Sequence, residues 1–317
     1  MSLLTRWTAR GPSAGHHPEP AASLDGSALP PGTVLGGATL ARPIGRGATA
    51  VVYGGIDAAT QAPRAVKVWR LSSPGGDDSA PRERFLREAQ HAAALDHPGI
   101  VRIFGGGSQA GLAFIVMELL AGSSLTRYTS ALHRLPEPMV LEIAAQLAEA
   151  LAHAHRRGVV HRDVKPANAL FDLAARRAVL TDFGLARAPD AQASRSGVLL
   201  GSPVYMAPEL LAGQPPDAHS DLYALGVLTY ELLASRPPFE AASMGALLRA
   251  VAQSPPPPFA TLRSDVTPAA AGQLDRLLAP LLAKQPALRP ADGEAWAVLA
   301  RQTAQWLMSA ANATNAG

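Results

Sequence analysis

The chain has 317 residues, no cysteine and a formal net charge of +3. Disulfides, thiolate metal sites and Cys nucleophiles are therefore excluded, and no basic block argues for a nucleic-acid partner. Apolar residues make up 48% of the chain, enough for a folded core and too many for a disordered polymer.

Residues 1–32 are rich in Pro, Gly, Ala and Ser and read as a flexible arm ending at Leu29-Pro30-Pro31-Gly32. His16-His17 in this arm reads as two lone histidines rather than a metal site. The segment Met1 to Arg10 lacks the apolar stretch of a secretory signal. No apolar run reaches the roughly 18 residues that span a bilayer. A cytoplasmic protein without membrane insertion is the expectation.

From Thr33 the pattern changes. Short β-prone runs at 40–44, 51–54 and 64–69, separated by Gly or Pro, predict an antiparallel meander. A polar loop at 73–78 follows, and Phe85, Ala89, Ala92 and Leu95 fall at helical spacing, predicting a helix over 81–95. Strands are predicted at 100–104 and 112–118. After Gly122 the period becomes that of helices. Val140, Ile143, Leu147, Leu151 and Ala154 form one stripe, stopped by Gly158. The run 222–233 predicts a buried helix, with later helices at 274–282 and 295–307. The prolines at 255–258 predict a stiff connection. There is no internal repeat.

Four motifs carry chemistry. Ile44-Gly45-Arg46-Gly47-Ala48-Thr49-Ala50 is a glycine-containing turn between two strand-like runs. Glycines let backbone amides approach phosphates closely. A dinucleotide fold needs strand, turn, helix here, and the strand that follows argues against it. Lys67 sits in an alternating strand pattern and can hold phosphate oxygens if a carboxylate fixes it; Glu88 on the next helix is the partner in view. His161-Arg162-Asp163-Val164-Lys165-Pro166-Ala167-Asn168 and Asp182-Phe183-Gly184 complete the set. Asp163 can orient a hydroxyl and accept its proton, and Lys165 can neutralise a transferred phosphoryl group. Asn168 and Asp182 offer hard oxygen ligands for Mg²⁺, with Mn²⁺ as an alternative. Only Lys67, Lys165 and Lys284 are lysines among 28 cationic residues. Two of the three stand in these motifs, where a compact ammonium differs from a guanidinium.

On these motifs, together with Ala207-Pro208-Glu209, the chain resembles a eukaryotic-type (Hanks) protein Ser/Thr kinase in the form found in bacteria. The resemblance implies an α+β, bilobal protein-kinase-like fold. It would have a small antiparallel β-rich N-lobe with one main helix (33–117), a hinge (118–122) and a larger, mostly α-helical C-lobe (123–309), with 310–317 as a tail. It implies ATP as the phosphoryl donor and proteins with Ser/Thr acceptors as partners; oligomeric state is left open. Val52, Ala65 and Leu170 would enclose the adenine, Met117 would stand behind it, and backbone groups of Glu118 and Leu120 would bond its edge. Asp221 would anchor the catalytic loop, and Arg289 would pair with Glu209. Ser202 would touch Asp163 and Lys165. Ser194 and Ser196 match an activation-loop pair, with Arg162 as the phosphoserine acceptor. Ala50 stands where the family has Gly, and Gly99 where it often has Asn. A pseudokinase that binds ATP without transfer is the competing reading, although every catalytic position is filled. A small-molecule phosphotransferase would lack the segment at 201–209.

Overall fold

The computed structural model describes residues 29–47, 50–70, 87, 89–183 and 203–315. They fall into two compact units, one within 29–96 and 101–120, the other comprising 97–100 and the described residues from 121 onward. No helix among the described residues is long and apolar enough to cross a membrane.

The first unit is a six-stranded antiparallel sheet. Its strands are β1 (Val34–Leu35), β2 (Ala38–Arg46), β3 (Ala50–Asp57), β4 (Pro63–Arg70), β5 (Ile103–Gln109) and β6 (Leu112–Glu118), in the order β1-β2-β3-β4-β6-β5. Strand side chains alternate between faces. Val66 and Val68 on β4 therefore join Leu112, Phe114 and Val116 on β6 in a core with Leu35, Leu40 and Tyr53. The Leu29 N–H donates to the buried Tyr53 hydroxyl at 2.8 Å, fastening the chain where the described residues begin. The β2–β3 register shifts on both sides of Pro43, which has no N–H for the ladder.

The helix predicted over 81–95 lies partly outside the described residues; its described part, α1, spans 89–93, with Ala89, Ala92 and Leu95 buried. The strand predicted at 100–104 is corrected. Strand β5 begins at Ile103, and Ile100 instead forms a parallel bridge to Leu180 in the second unit. The apolar run Ile100-Val101 marked burial without saying which unit it served.

The second unit is mainly helical. It contains α2 (Glu137–His155), α3 (Pro208–Leu211), α4 (Ala218–Ala234), α5 (Met244–Gln253), α6 (Phe259–Leu262), α7 (Pro268–Leu278) and α8 (Gly293–Asn315). A small sheet pairs β7 (Ser123–Ser124), β8 (Ala169–Asp172) and β9 (Arg177–Leu180) in that order. The α2 stripe at 140, 143, 147, 151 and 154 is buried throughout, and α2 packs on α4, α8 and β9. Pro136 and Pro138 bracket its first residue, where a missing N–H is harmless. Gly158, at φ +72°, follows its end. Helix α4 is apolar almost all round and correspondingly buried. It starts at a capping box in which Asp217 Oδ1 accepts the Ser220 N–H and Ser220 Oγ accepts the Asp217 N–H, both at 3.0 Å. Asp292 accepts the Ala295 N–H at the start of α8. Arg301 on α8 reaches Glu142 and Glu149 on α2.

Two helical expectations needed correction. The helix read at 274–282 ends at Leu278, because Pro280 cannot continue it, and Leu281 and Leu282 are buried beyond its end. The region just after Gly122 is not yet α-helical. It forms β7 and two 3₁₀ turns, Leu125–Tyr128 and Ala131–His133.

Candidate active site

The loop at 161–168 connects the end of the α2 region to β8, and buried groups fix its course. Asp221, 2% exposed on the first turn of α4, accepts the His161 N–H on Oδ2 at 2.7 Å and the Arg162 N–H on Oδ1 at 2.8 Å. His155 Nε2 lies 2.8 Å from the same Oδ2. These contacts hold Arg162 at φ +70°, a left-handed conformation that non-glycine residues avoid. His161 Nε2–H donates to the Thr181 carbonyl at 2.9 Å, which leaves Nδ1 to accept the Asp163 N–H at 3.3 Å. The His161 ring also packs on the buried Phe183 ring, with centroids 4.5 Å apart.

Asp163 sits on this frame. Lys165 Nζ lies 2.9 Å from its Oδ1 and 2.7 Å from its Oδ2. Asn168 Nδ2 donates to both the Asp163 carbonyl and its Oδ2, each at 2.8 Å. The amide donor of Asn168 is thus spent on Asp163, while its Oδ1 accepts no hydrogen bond among the described residues. The Thr181 N–H donates to the Asn168 carbonyl at 2.9 Å, and Ala169 pairs with Leu180 across β8 and β9. Asn168 and Asp182 therefore occupy adjoining strand ends. Asp182 has φ +65°.

This donor set fits a divalent ion. Mg²⁺ takes one or two carboxylates and completes its shell with water and phosphate oxygens. Among the described residues no three His, Cys, Asp or Glu side chains converge on a cage. An amide oxygen beside a single carboxylate suits an ion that arrives with its own phosphate ligands.

Most of the residues expected on the nucleotide side lie in the first unit. Gly47 N–H donates to the Ala50 carbonyl at 2.8 Å, closing the turn from Ile44-Gly45-Arg46 on β2 into β3. Cross-strand pairing of Val52 with Lys67, Lys67 with Ile115 and Ala65 with Met117 puts Val52, Ala65, Lys67 and Met117 on one sheet face, opposite the Val66 core. Lys67 Nζ lies 5.3 Å from the Trp69 ring centroid. The Glu118 N–H donates to the Arg102 carbonyl at 2.8 Å, so an adenine edge could meet Glu118 only through its carbonyl. Leu120 ends this unit; Leu170, on β8, belongs to the other. Ala48, Thr49, Glu88, Ser194, Ser196 and Ser202 lie outside the described residues.

Sequence reasoning missed three groups. His155 adds a third contact to Asp221, Thr181 locks β9 to the loop, and the Tyr205 hydroxyl donates to Glu231 at 2.5 Å. Burial and the Glu231 carboxylate push the Tyr205 phenol far up, so it stays a donor. Burial likewise raises the Glu231 carboxyl. The only trace of this in the sequence was a lone acid interrupting the apolar run of α4. Arg289 and Glu209 do meet, in a bidentate pair at 2.6 and 2.7 Å, with the Arg289 side chain fully buried and also bonded to the His219 and Ala283 carbonyls.

Comparison with known proteins agrees with this geometry. A family model described as a protein kinase domain matches residues 38–302. The chain is 39% identical to the DNA damage-responsive serine/threonine-protein kinase RqkA of Deinococcus radiodurans, over 86% of this chain and 40% of that protein. It is 37% identical to the serine/threonine-protein kinase PknJ of Mycobacterium tuberculosis, over 82% of this chain and 44% of that protein. It thus spans roughly two fifths of the length of these relatives. The crystal structure of the Mycobacterium tuberculosis PknI kinase domain superposes with a TM-score of 0.69 at 33% identity, covering 88% of this chain and all of that one.

Proposed function

Since the chain belongs to the protein kinase family, we propose that it transfers the γ-phosphoryl group of ATP to Ser and Thr hydroxyls of proteins, its kinase domain spanning 33–309. The observation that carries this reading is the Asp163 carboxylate, clamped by Lys165 and Asn168 on a loop fixed by buried Asp221.

Asp163 orients the acceptor hydroxyl and takes its proton as the oxygen attacks the γ-phosphorus and the bond to the β-phosphate oxygen breaks. Lys165 directs donors at Asp163 and has a third N–H for the phosphoryl oxygens. Phosphoryl transfer needs positioning and charge stabilisation rather than covalent help, and a pre-bonded loop supplies the first. Asn168 Oδ1 and the Asp182 carboxylate would hold Mg²⁺, or Mn²⁺, which supplies charge neutralisation on the phosphates when bound. Lys67, fixed by Glu88, would hold the nucleotide phosphates under the turn Ile44, Gly45, Arg46, Gly47, Ala48, Thr49 and Ala50. Val52, Ala65 and Met117 would contact the base, with the Glu118 carbonyl and the Leu120 backbone at its edge. Autophosphorylation at Ser194 and Ser196, read by Arg162, would order the activation segment; mass spectrometry after incubation with Mg-ATP checks both sites. A kinase that draws on ATP would act in the cytoplasm.

The direct test is incorporation of labelled phosphate from ATP into a generic protein substrate. Asp163→Asn should lower the rate about 10²- to 10⁴-fold, the range of general acid–base contributions. Equal labelling by wild type and Asp163→Asn would overturn the proposal.

A further inference from the structure

The second unit carries a cavity of about 430 Å³ whose chemistry the transfer reaction does not use. Its buried floor is Tyr128 and Phe171, packed edge to face with centroids 6.3 Å apart. Its wall is set by Gly122, at φ +96°, whose backbone is so close to β8 that an added Cβ would lie 2.2 Å from the Phe171 carbonyl oxygen. Only glycine fits there.

The rim is cationic. Arg127, His133 and Arg134 line it, and residues 121–136 contain no acid at all. The exposed Arg127 side chain has no ion pair or hydrogen bond among the described residues. Arg134 reaches only Asp265, at 3.4 Å, and that carboxylate is itself 55% exposed. The cavity's one carboxylate, Asp172, makes no ion pair with them, which leaves two guanidinium groups against one carboxylate along the lining. Its Oδ1 accepts the Ala174 and Ala175 N–H groups of its own turn, at 2.9 and 3.1 Å. Leu173, 53% exposed, extends the apolar floor to the surface. An unpartnered guanidinium, Arg127, and a second one held only by an exposed carboxylate, both beside an apolar floor, suit carboxylates flanking a hydrophobic side chain. The aromatic rings are buried and offer no open face for stacked bases, which disfavours nucleic acid.

We propose that this cavity docks an acidic peptide segment of the protein substrate, its carboxylates on Arg127 and Arg134 and an apolar side chain over Tyr128 and Phe171. That the occupant is a substrate rests on the kinase reading above. The placement supports it. Phe171 lies on β8, which begins at Ala169 directly after Asn168, and Ser124 Oγ donates to the Pro166 carbonyl at 2.9 Å. A segment held here is tethered to the same unit as Asp163, which raises the effective concentration of its acceptor.

The test uses the full chain and a fluorescein-labelled 12-residue peptide of glutamates around two leucines, without Ser or Thr. A matching peptide with lysine for every glutamate is the control. Anisotropy should show binding of the acidic peptide only. The Arg127→Glu/Arg134→Glu double variant should weaken it at least about tenfold and gain affinity for the lysine peptide. A Ser acceptor peptide joined to the acidic segment should show a KM about tenfold lower than the acceptor alone in wild type, with kcat unchanged and no such gain in the double variant. Equal binding of both peptides by wild type, or equal affinity of wild type and double variant, would overturn the proposal. Acidic-peptide binding without phosphate transfer to any substrate would sink the kinase reading and with it the substrate assignment. Transfer without charge-dependent binding would sink the docking site alone.

Discussion

The loop at 161–168 and the turn at 45–50 are both expected to meet phosphate, yet the chain holds them by different means. The loop is fixed by side chains remote in sequence: Asp221 on α4, His155 on α2 and the Thr181 carbonyl beside β9. It even keeps Arg162 in a left-handed conformation. The turn is fixed by its own hairpin, through the Gly47 to Ala50 bond and the pairing of Gly45 with Val52. A segment anchored by buried charge fails when one distant group is removed. A segment anchored by its backbone tolerates most substitutions.

The sharpest way to break that contrast is Asp221→Ala. It strands two backbone N–H groups and His155, and should lower stability by about 3–5 kcal/mol. Among molecules that remain folded, kcat should fall about 100-fold through misplacement of Asp163. Urea unfolding and turnover at low temperature check both, and an unchanged kcat would mean the loop holds itself. Arg289→Ala separates stability from positioning. Removing one partner of the buried Arg289–Glu209 pair should also cost about 3–5 kcal/mol, but kcat per folded molecule should change far less than in Asp221→Ala.

A finer probe of the same buried network is Lys284. Its ammonium donates to the Val251 carbonyl at 2.6 Å and lies 3.9 Å from the Phe239 ring centroid. Burial, and then the neighbouring Arg289, lower its pKa from 10.5 to about 8. Between those values the unfolded chain binds the extra proton, so this group makes stability rise with pH from about 8 to 10.5. Urea midpoints across that window should lose this component in Lys284→Met; an identical slope in variant and wild type would refute it. The smallest effect should come from Ala50→Gly in the turn. It should cost only about 0.5–1 kcal/mol, with the KM for ATP shifting less than about threefold; a larger shift would show that the turn is not held by its backbone alone.

Much of this was legible because it is periodic or contiguous. The α2 stripe was readable from helical spacing, and burial follows it; the strand-like runs at 64–69 and 112–118 did become β4 and β6. Asp163, Lys165 and Asn168 lie within six residues of one another, so their meeting in one loop needed no tertiary knowledge. What stayed hidden depends on partners far along the chain. His155 lies 66 residues from Asp221 and looked like one more residue of a helix. Glu231 looked like a break in an apolar run until Tyr205 met it across 26 residues. Ile100 looked like the start of a strand because a short apolar run does not say which sheet it joins.

By itself the sequence determined the family and the succession of a strand-rich and then a helix-rich part, and it named the groups proposed to handle a nucleotide, because these depend on residue type and short-range spacing. Only the tertiary structure decided how tightly those groups are held and which cations are left without a carboxylate. Hydrogen bonding and ion pairing between residues scores of positions apart select one partner among many of the same chemistry. Arg289 is buried against Glu209 while Arg127 stands open beside Phe171, and nothing in the letter R tells the two apart.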